Sequence, residues 1–274
     1  MKKEWLNKNI TKHITDALSY SGSRGKDKVI SASGLGSDTL KLFLKAKYGL
    51  DESNGEFMQS HLGTLVHNAL ETIFTDKNGY KAEKRLMLQN YYRDWSLSGE
   101  PDLVIEKKVL GENIRVIVDW KTYKLNKLEL IKDPESKEHR ELAIQLGVYA
   151  LLTDKKSKRY NSKVETYVAV FVKDATRFGY EPSEDLVYVK INHLPEDEIY
   201  ELFKNKVDEL EEYLSKNENP PECEFLGWSA RQRGAKKEKL ICKHFCGVAS
   251  NCPYYYGKSR RRKLDEVKKF LGRI

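Results

Sequence analysis

The sequence predicts an α/β fold: a central mixed sheet flanked by helices, followed by a cysteine-rich C-terminal segment. Three observations carry this. Short β-branched, apolar runs of strand length recur between residues 82 and 191. Segments of helical period separate and follow them, near residues 136–152 and 195–214. All four cysteines fall after residue 222. The order is helix, three strands, helix, strand, which suits neither a bundle nor a sandwich.

Residues 1–58 are polar and mixed and read as a mainly helical region. Within it Ser31-Ala32-Ser33-Gly34-Leu35-Gly36 is a turn or cap, and Thr39–Leu44 is a helix. Residues 59–216 form the predicted core. Ser60 caps a helix to about Thr75, with Leu62, Val66, Ala69, Leu70 and Ile73 on one stripe. Three strands follow, Ala82–Leu88, Leu103–Glu106 and Ile114–Lys121. A helix from about Ser136 to Leu152 is set by Leu142, Leu146, Tyr149 and Ala150. Val164–Val172 and Leu186–Ile191 are strands, and Pro195 opens a helix to about Leu214. Asn217-Glu218-Asn219-Pro220-Pro221 ends that helix. Residues 217–274 hold the cysteines and a basic tail.

Composition narrows the function. The chain has 33% charged and 39% hydrophobic residues, a globular composition with a heavily solvated surface. Lysine and arginine number 49 against 41 acidic residues, a net charge of +8 that suits a polyanion and equally suits simple solubility. No run approaches the roughly 20 apolar residues of a membrane span. The N-terminus has charge without an apolar core after it, so the expected location is cytoplasmic, with no membrane partner.

Arg115-Val116-Ile117-Val118-Asp119-Trp120-Lys121-Thr122 is the most informative stretch. Side chains alternate along a strand, so Asp119 and Lys121 share one face, opposite Val118 and Trp120. Upstream, Gly99-Glu100-Pro101-Asp102 precedes the apolar run Leu103-Val104-Ile105. Asp102 and Asp119 offer the oxygen ligands a hard divalent cation needs, and the Trp120 backbone carbonyl is a third candidate. Lys121 is placed to orient or activate a water and to stabilise charge on a phosphate. Taken alone, a strand-end Asp-x-Lys is also the pattern of a surface ion pair.

Two further patterns lie on predicted helices. In Gly63-Thr64-Leu65-Val66-His67, the histidine shares a face with Gly63 and Glu71, and its imidazole can complete a metal shell or simply sit half-exposed. Gln145 and Tyr149 also share a face, where both can bond a phosphate and the tyrosine can stack on a base.

Together and in this order, these elements resemble the RecB-like branch of the PD-(D/E)XK nuclease superfamily. Ser31-Ala32-Ser33 looks like the opening Ser-x-Ser of such domains. Gly63-x3-His67 resembles the motif with a metal-binding histidine, and Glu83 lies where an acidic residue often sits on the first strand. Gly99-Glu100-Pro101-Asp102 resembles Gly-x-x-Asp. Asp119-Trp120-Lys121-Thr122 is similar to Asp-Tyr-Lys-Thr, and Gln145-x3-Tyr149 matches Gln-x3-Tyr. The resemblance implies a restriction-endonuclease-like core over residues 59–216. It implies Mg²⁺ or Mn²⁺ held by His67, Asp102, Asp119 and the Trp120 carbonyl, with Asp102, Asp119 and Lys121 catalytic. Gln145 and Tyr149 would contact DNA, and Glu83 would be accessory. The expected activity is a metal-dependent deoxyribonuclease, an exonuclease on linear or single-stranded DNA ends. A structure-selective endonuclease and an inactive metal-stabilised DNA-binding module are the alternatives. No Gly-x4-Gly-Lys-Ser/Thr loop is present, so any unwinding falls to a helicase or recombination partner.

The cysteines run Cys223-x18-Cys242-x3-Cys246-x5-Cys252. Such a cluster suits a metal rather than a disulfide framework, and four thiolates fit tetrahedral Zn²⁺ or an iron–sulfur cluster. The resemblance favours [4Fe–4S], since CRISPR adaptation nucleases and the AddB nuclease domain carry one on a remote cysteine and a C-terminal trio. This chain departs from that pattern twice: no cysteine lies near Leu42–Lys47, and the first gap of the trio is three residues rather than two. Cys223 would replace the early ligand, and His244 is a spare candidate for zinc. The tail after Tyr254 mixes Tyr255 and Tyr256 with Lys258, Arg260, Arg261, Arg262 and Lys263, which suits single-stranded nucleic acid. Its Leu264, Val267 and Phe270 equally make the apolar stripe of a solvated helix.

Overall fold

The computed structural model describes residues 28–49, 85–156, 163–172, 186–223, 248 and 251–256. The predicted helix from Ser60 to Thr75 lies outside these residues. So do His67, Glu83, Cys242, Cys246 and the tail beyond Tyr256.

The chain is α/β, with mixed sheets flanked by helices. Its strands divide between two sheets rather than entering one. The first sheet has the order β1-β3-β2, from β1 (Val29–Ser31), β2 (Leu86–Tyr92) and β3 (Trp95–Gly99). β1 runs parallel to β3, and β2 pairs with β3 as an antiparallel hairpin. The second sheet has the order β4-β5-β6-β7, from β4 (Leu103–Val109), β5 (Glu112–Tyr123), β6 (Lys163–Val172) and β7 (Leu186–Lys190). Its central pair, β5 and β6, is parallel, and the two outer pairs are antiparallel.

Five helices of the described chain position these sheets: α1 (Ala32–Leu35), α2 (Thr39–Tyr48), α3 (Leu125–Lys132), α4 (Lys137–Lys156) and α5 (Glu196–Lys216). A last short helix, α6, covers Pro253–Tyr256. Ser31 closes β1 and caps α1, its hydroxyl accepting from the Gly34 N–H at 3.2 Å. Ser136 caps α4, accepting from the His139 N–H at 3.0 Å. Pro195 stands at the N-cap of α5, one place before the helix itself. Ile199, Phe203, Val207 and Leu210 repeat every three or four residues along α5 and are fully buried.

One core joins the elements. It takes Ile30 from β1, Phe43 from α2, Trp95 and Leu97 from β3, Ile117 from β5, and Leu146 and Val148 from α4. The segment 28–49 therefore contributes a strand and two helices to the same packed body as the later elements. The β2–β3 hairpin is tied to α5 by polar bonds. Trp95 donates its indole N–H to Glu211 at 2.5 Å, Lys28 pairs with Glu211 at 2.7 Å, and Arg93 with Asp208 at 2.7 Å. α4 packs against α1, α3 and α5 and crosses the face of the second sheet that carries Ile117. The opposite face carries a smaller cluster of Leu103, Val118, Trp120 and Ala169.

Candidate active site

Residues Val116–Val118 of β5 sit between two paired neighbours, and Ile117–Trp120 are buried on both faces, which is why the run is almost wholly apolar. Asp119 interrupts it. The carboxylate is only 2% exposed, and a buried charge of that kind needs partners. It has them. Lys121, two residues on and so on the same face, brings its ammonium 2.6 Å from Asp119 Oδ2. Gln145 donates its amide to Asp119 Oδ1 at 3.2 Å and to the Tyr149 hydroxyl at 2.7 Å. Both amide hydrogens are then used, which fixes the orientation of the Gln145 side chain. The ion pair is thus a buried one, not the exposed pair a strand-end Asp-x-Lys also suggests.

The register of β4 on β5 places the second carboxylate. β4 pairs with β5 as far as Leu103 opposite Val118, and Asp102 is the next residue outward, just beyond that last rung. Asp102 Oδ2 accepts from the Trp120 N–H at 2.7 Å. Pro101 precedes Asp102, where a continued ladder would reach Trp120. In an antiparallel ladder that residue would give its N–H to the Trp120 carbonyl, and proline has none to give. A strand residue projects its N–H and C=O to the same side, so the Trp120 carbonyl faces the edge where Asp102 lies.

Packing of α4 brings Gln145 and Tyr149 to this edge. Gly99, at the end of β3, makes the approach possible. A Cβ there would lie 2.8 Å from Leu152 Cδ1 and 3.0 Å from the Tyr149 ring. Gly147 does the same on the other side, where a Cβ would meet the Leu194 carbonyl at 2.8 Å.

Electrostatics follow from burial. Burial opposes charge on Lys121, but the adjacent Asp119, with smaller contributions from Tyr123 and Tyr149, outweighs it and raises the ammonium above its ordinary range. Burial, then the charge of Asp119, raises Tyr149, which keeps its phenolic proton. Tyr123 is raised by burial, with Lys121 opposing and Asp119 reinforcing. Glu141 lies one turn before Gln145 on α4, and burial raises its carboxyl as well. Sequence reasoning missed Glu141 and Tyr123. The spacing Glu141-x3-Gln145-x3-Tyr149 was the available signal for the first.

Of the predicted site residues, the structure brings together Asp102, Asp119, Trp120, Lys121, Gln145 and Tyr149. Gln145 and Tyr149 are buried, at 8% and 6% exposure, and bonded within the carboxylate cluster rather than displayed on an open helix face. Among the described residues, no group of three or more His, Cys, Asp or Glu side chains converges as a metal site. The donors at this edge are two carboxylates and a backbone carbonyl, all oxygen, which is the chemistry Mg²⁺ and Mn²⁺ take.

At the C-terminus, Cys252 is buried and Cys223 half-buried, and both belong to the main core. Tyr254 donates its hydroxyl to the Pro220 carbonyl at 3.0 Å, which holds α6 against the segment containing Cys223.

Paired strands that present two acidic residues and a lysine beside a Gln/Tyr helix define a class, and comparison with known proteins gives its name. A model of the PD-(D/E)XK nuclease superfamily matches residues 82–253, so the chain belongs to that superfamily. The match takes in Pro101-Asp102 and Asp119-Trp120-Lys121. A solved structure, described as "Crystal structure of SSO0001", is similar over 90% of this chain and 94% of its own. Its TM-score is 0.50 at 15% identity, a likeness of fold. No curated protein matches the sequence. No helix among the described residues is long and apolar enough to cross a membrane.

Proposed function

We propose that this member of the superfamily is a divalent-metal-dependent deoxyribonuclease, acting as an exonuclease on linear or single-stranded DNA ends. The observation that supports the reading is one strand end carrying both Asp102, bonded to the Trp120 N–H at 2.7 Å, and the Asp119–Lys121 pair at 2.6 Å. Asp102, Asp119 and the Trp120 carbonyl would hold Mg²⁺ or Mn²⁺, with His67 as a further ligand and Glu83 as an accessory acid. Such an ion would polarise the phosphodiester and lower the pKa of an attacking water.

The chain's own residues have separate parts in this reading. The Trp120 N–H holds Asp102 in place. Gln145 fixes the rotamer of Asp119. Lys121 presents a positive charge beside the carboxylates, where charge develops on the phosphate. Gln145 and Tyr149 would contact the DNA strand from the same cluster once it is seated. The cysteines Cys223, Cys242, Cys246 and Cys252 are read as ligands of a [4Fe–4S] cluster, with Zn²⁺ as the alternative. The Tyr254–Pro220 bond supports this by holding the segments of Cys252 and Cys223 together. A helicase or recombination partner would supply the ends.

The test is purified protein with Mg²⁺ or Mn²⁺ on linear and circular DNA, single- and double-stranded. The reading requires loss of linear substrates only, abolished by chelator and reduced at least about a hundredfold in Asp119→Ala. Cutting of circles would replace it with an endonuclease. Elemental analysis of anaerobically purified protein separates iron and sulfide from stoichiometric zinc.

A further inference from the structure

We infer that the β4–β5 hairpin is a DNA-reading arm that enters a groove of duplex DNA beside the cleavage site; this rests on the nuclease reading above. Among the described residues, four that are not glycine have a left-handed φ: Asn90, Arg93, Leu110 and Asn217. Two are asparagines, which tolerate that conformation. Arg93 is held by its pair with Asp208. Leu110, with φ of 50°, has neither excuse, and its side chain is 101% exposed.

The tip itself is a tight turn. Val109 pairs with Glu112, and the two residues between them, Leu110 and Gly111, have φ of 50° and 90°. Hairpins of this geometry favour Asn-Gly or Asp-Gly. A leucine here satisfies neither the turn nor the core. An outlier of this kind points to a contact made outside the fold. Val109 beside it is exposed too, so the tip displays two apolar side chains, with the exposed Glu112 paired opposite Val109.

The flanks show what it would touch. Lys107 and Lys108 are exposed, project to opposite faces of the arm, and pair with no acidic group among the described residues. Among the described residues β6 pairs with β5 only from Ile114 onward, so beyond that rung β4 and β5 pair only with each other. A ribbon of this width fits the major groove, roughly 12 Å across. Lysines on both faces would meet the phosphates of both strands, and the leucine would reach base edges such as a thymine methyl. From Leu110 at the tip to Asp102 the chain takes eight steps of about 3.4 Å, so the tip lies about 27 Å from Asp102. That is about eight base pairs of duplex at about 3.4 Å each.

The experiment measures DNA binding in EDTA by fluorescence anisotropy, with a duplex and its single strand as probes, for the full chain. Leu110→Asn suits the turn, so its Tm should hold or rise by about 2 °C. Its duplex Kd should weaken about fivefold while the single-strand Kd stays unchanged. Lys107→Gln with Lys108→Gln should lower the slope of log K against log salt by about two on duplex. Unchanged duplex binding in both variants would overturn the inference, as would equal losses on both probes. So would loss of binding to anionic vesicles in Leu110→Asn with duplex affinity intact, which would assign the tip to a membrane. Cleavage by the unaltered chain is scored separately, so failure of the nuclease reading and failure of the arm give different results.

Discussion

Replacing Lys121 with methionine tests the core of the site. The substitution keeps the length of the side chain and removes its charge. Asp119 then stands 2% exposed with Gln145 as the partner that remains from the pair. At 2.6 Å and an effective dielectric near 20, the lost Coulomb energy is about 6 kcal/mol before desolvation is returned. Breaking a buried pair from one side costs about 3–5 kcal/mol. Lys121 is itself 22% exposed and Gln145 still donates to Asp119, so we expect the lower end, about 3 kcal/mol. In a chain of this size that is a fall in Tm of about 5 °C in EDTA.

Two companion measurements make this a test of the site rather than of packing. Asp119→Asn combined with Lys121→Met removes both charges and should recover most of the loss. Millimolar Mn²⁺ should raise the Tm of Lys121→Met more than that of the unaltered chain, because a cation at Asp119 replaces the missing ammonium. Differential scanning calorimetry with and without chelator reads all three. Equal melting of Lys121→Met and the unaltered chain in EDTA would refute the buried pair. Equal metal shifts would show that Lys121 and the ion do not share Asp119.

Three other outcomes are expected. Gly99→Ala forces a Cβ to within 2.8 Å of Leu152 and 3.0 Å of the Tyr149 ring, so it should cost about 1–3 kcal/mol in denaturant unfolding and lower activity by shifting α4. For Glu141, burial raises the carboxyl above its ordinary 4.5 against Lys137 and Lys127, with Glu138 and Asp38 adding to the rise. Its raised folded value means that relative stability is full in acid and lost as pH rises through that value. Glu141→Gln should therefore raise Tm at neutral pH and not below about pH 4.5, and a flat difference across pH would contradict this. For Glu211 burial pushes upward, but bonds from Lys28 and Trp95 outweigh it and hold the carboxyl low. Stability from a lowered carboxyl is present above its unfolded value and lost in acid, so Glu211→Gln should cost about 1 kcal/mol at neutral pH, shrinking below about pH 4.5.

The legible parts of the fold were those with a long or strongly apolar local signal. β5, β6, α4 and α5 run 10 residues or more and lie close to where periodicity puts them. Several short elements escaped. β1 has three residues, and its only pairing is to β3, far along the chain. β3, Trp95–Gly99, alternates apolar and small polar residues, and Ser96 and Ser98 read as a loop. α3 is eight residues with two buried leucine-type contacts, Leu128 and Ile131, too few to establish a period. Division into two sheets is set by those unseen strands, so it could not be read locally. At the site, the shared face of Asp119 and Lys121 follows from alternation alone. The commitment of Gln145 to Asp119 does not. Helical spacing sets Gln145 and Tyr149 on one face, and only the Gly99 contact decides that this face meets the carboxylate.

The break between the sheets is what creates the site. β3 ends at Gly99 and β4 begins at Leu103, so the chain leaves one sheet and enters the other within Glu100-Pro101-Asp102. Had β4 started two residues earlier, its backbone would have paired along Asp119 and Trp120 and filled the edge with ladder bonds. Pro101 prevents this on chemical grounds, since it has no N–H for the Trp120 carbonyl. The Trp120 N–H turns instead to the Asp102 side chain, which converts a rung of the ladder into a carboxylate anchor. On the far side of β5, Val118 and Trp120 pack against Leu103 and Ala169. That packing fixes the strand while its other face carries the charge. A proline, an aspartate and an alternating strand thus set two carboxylates, a lysine and a carbonyl at one edge without any strained backbone among them.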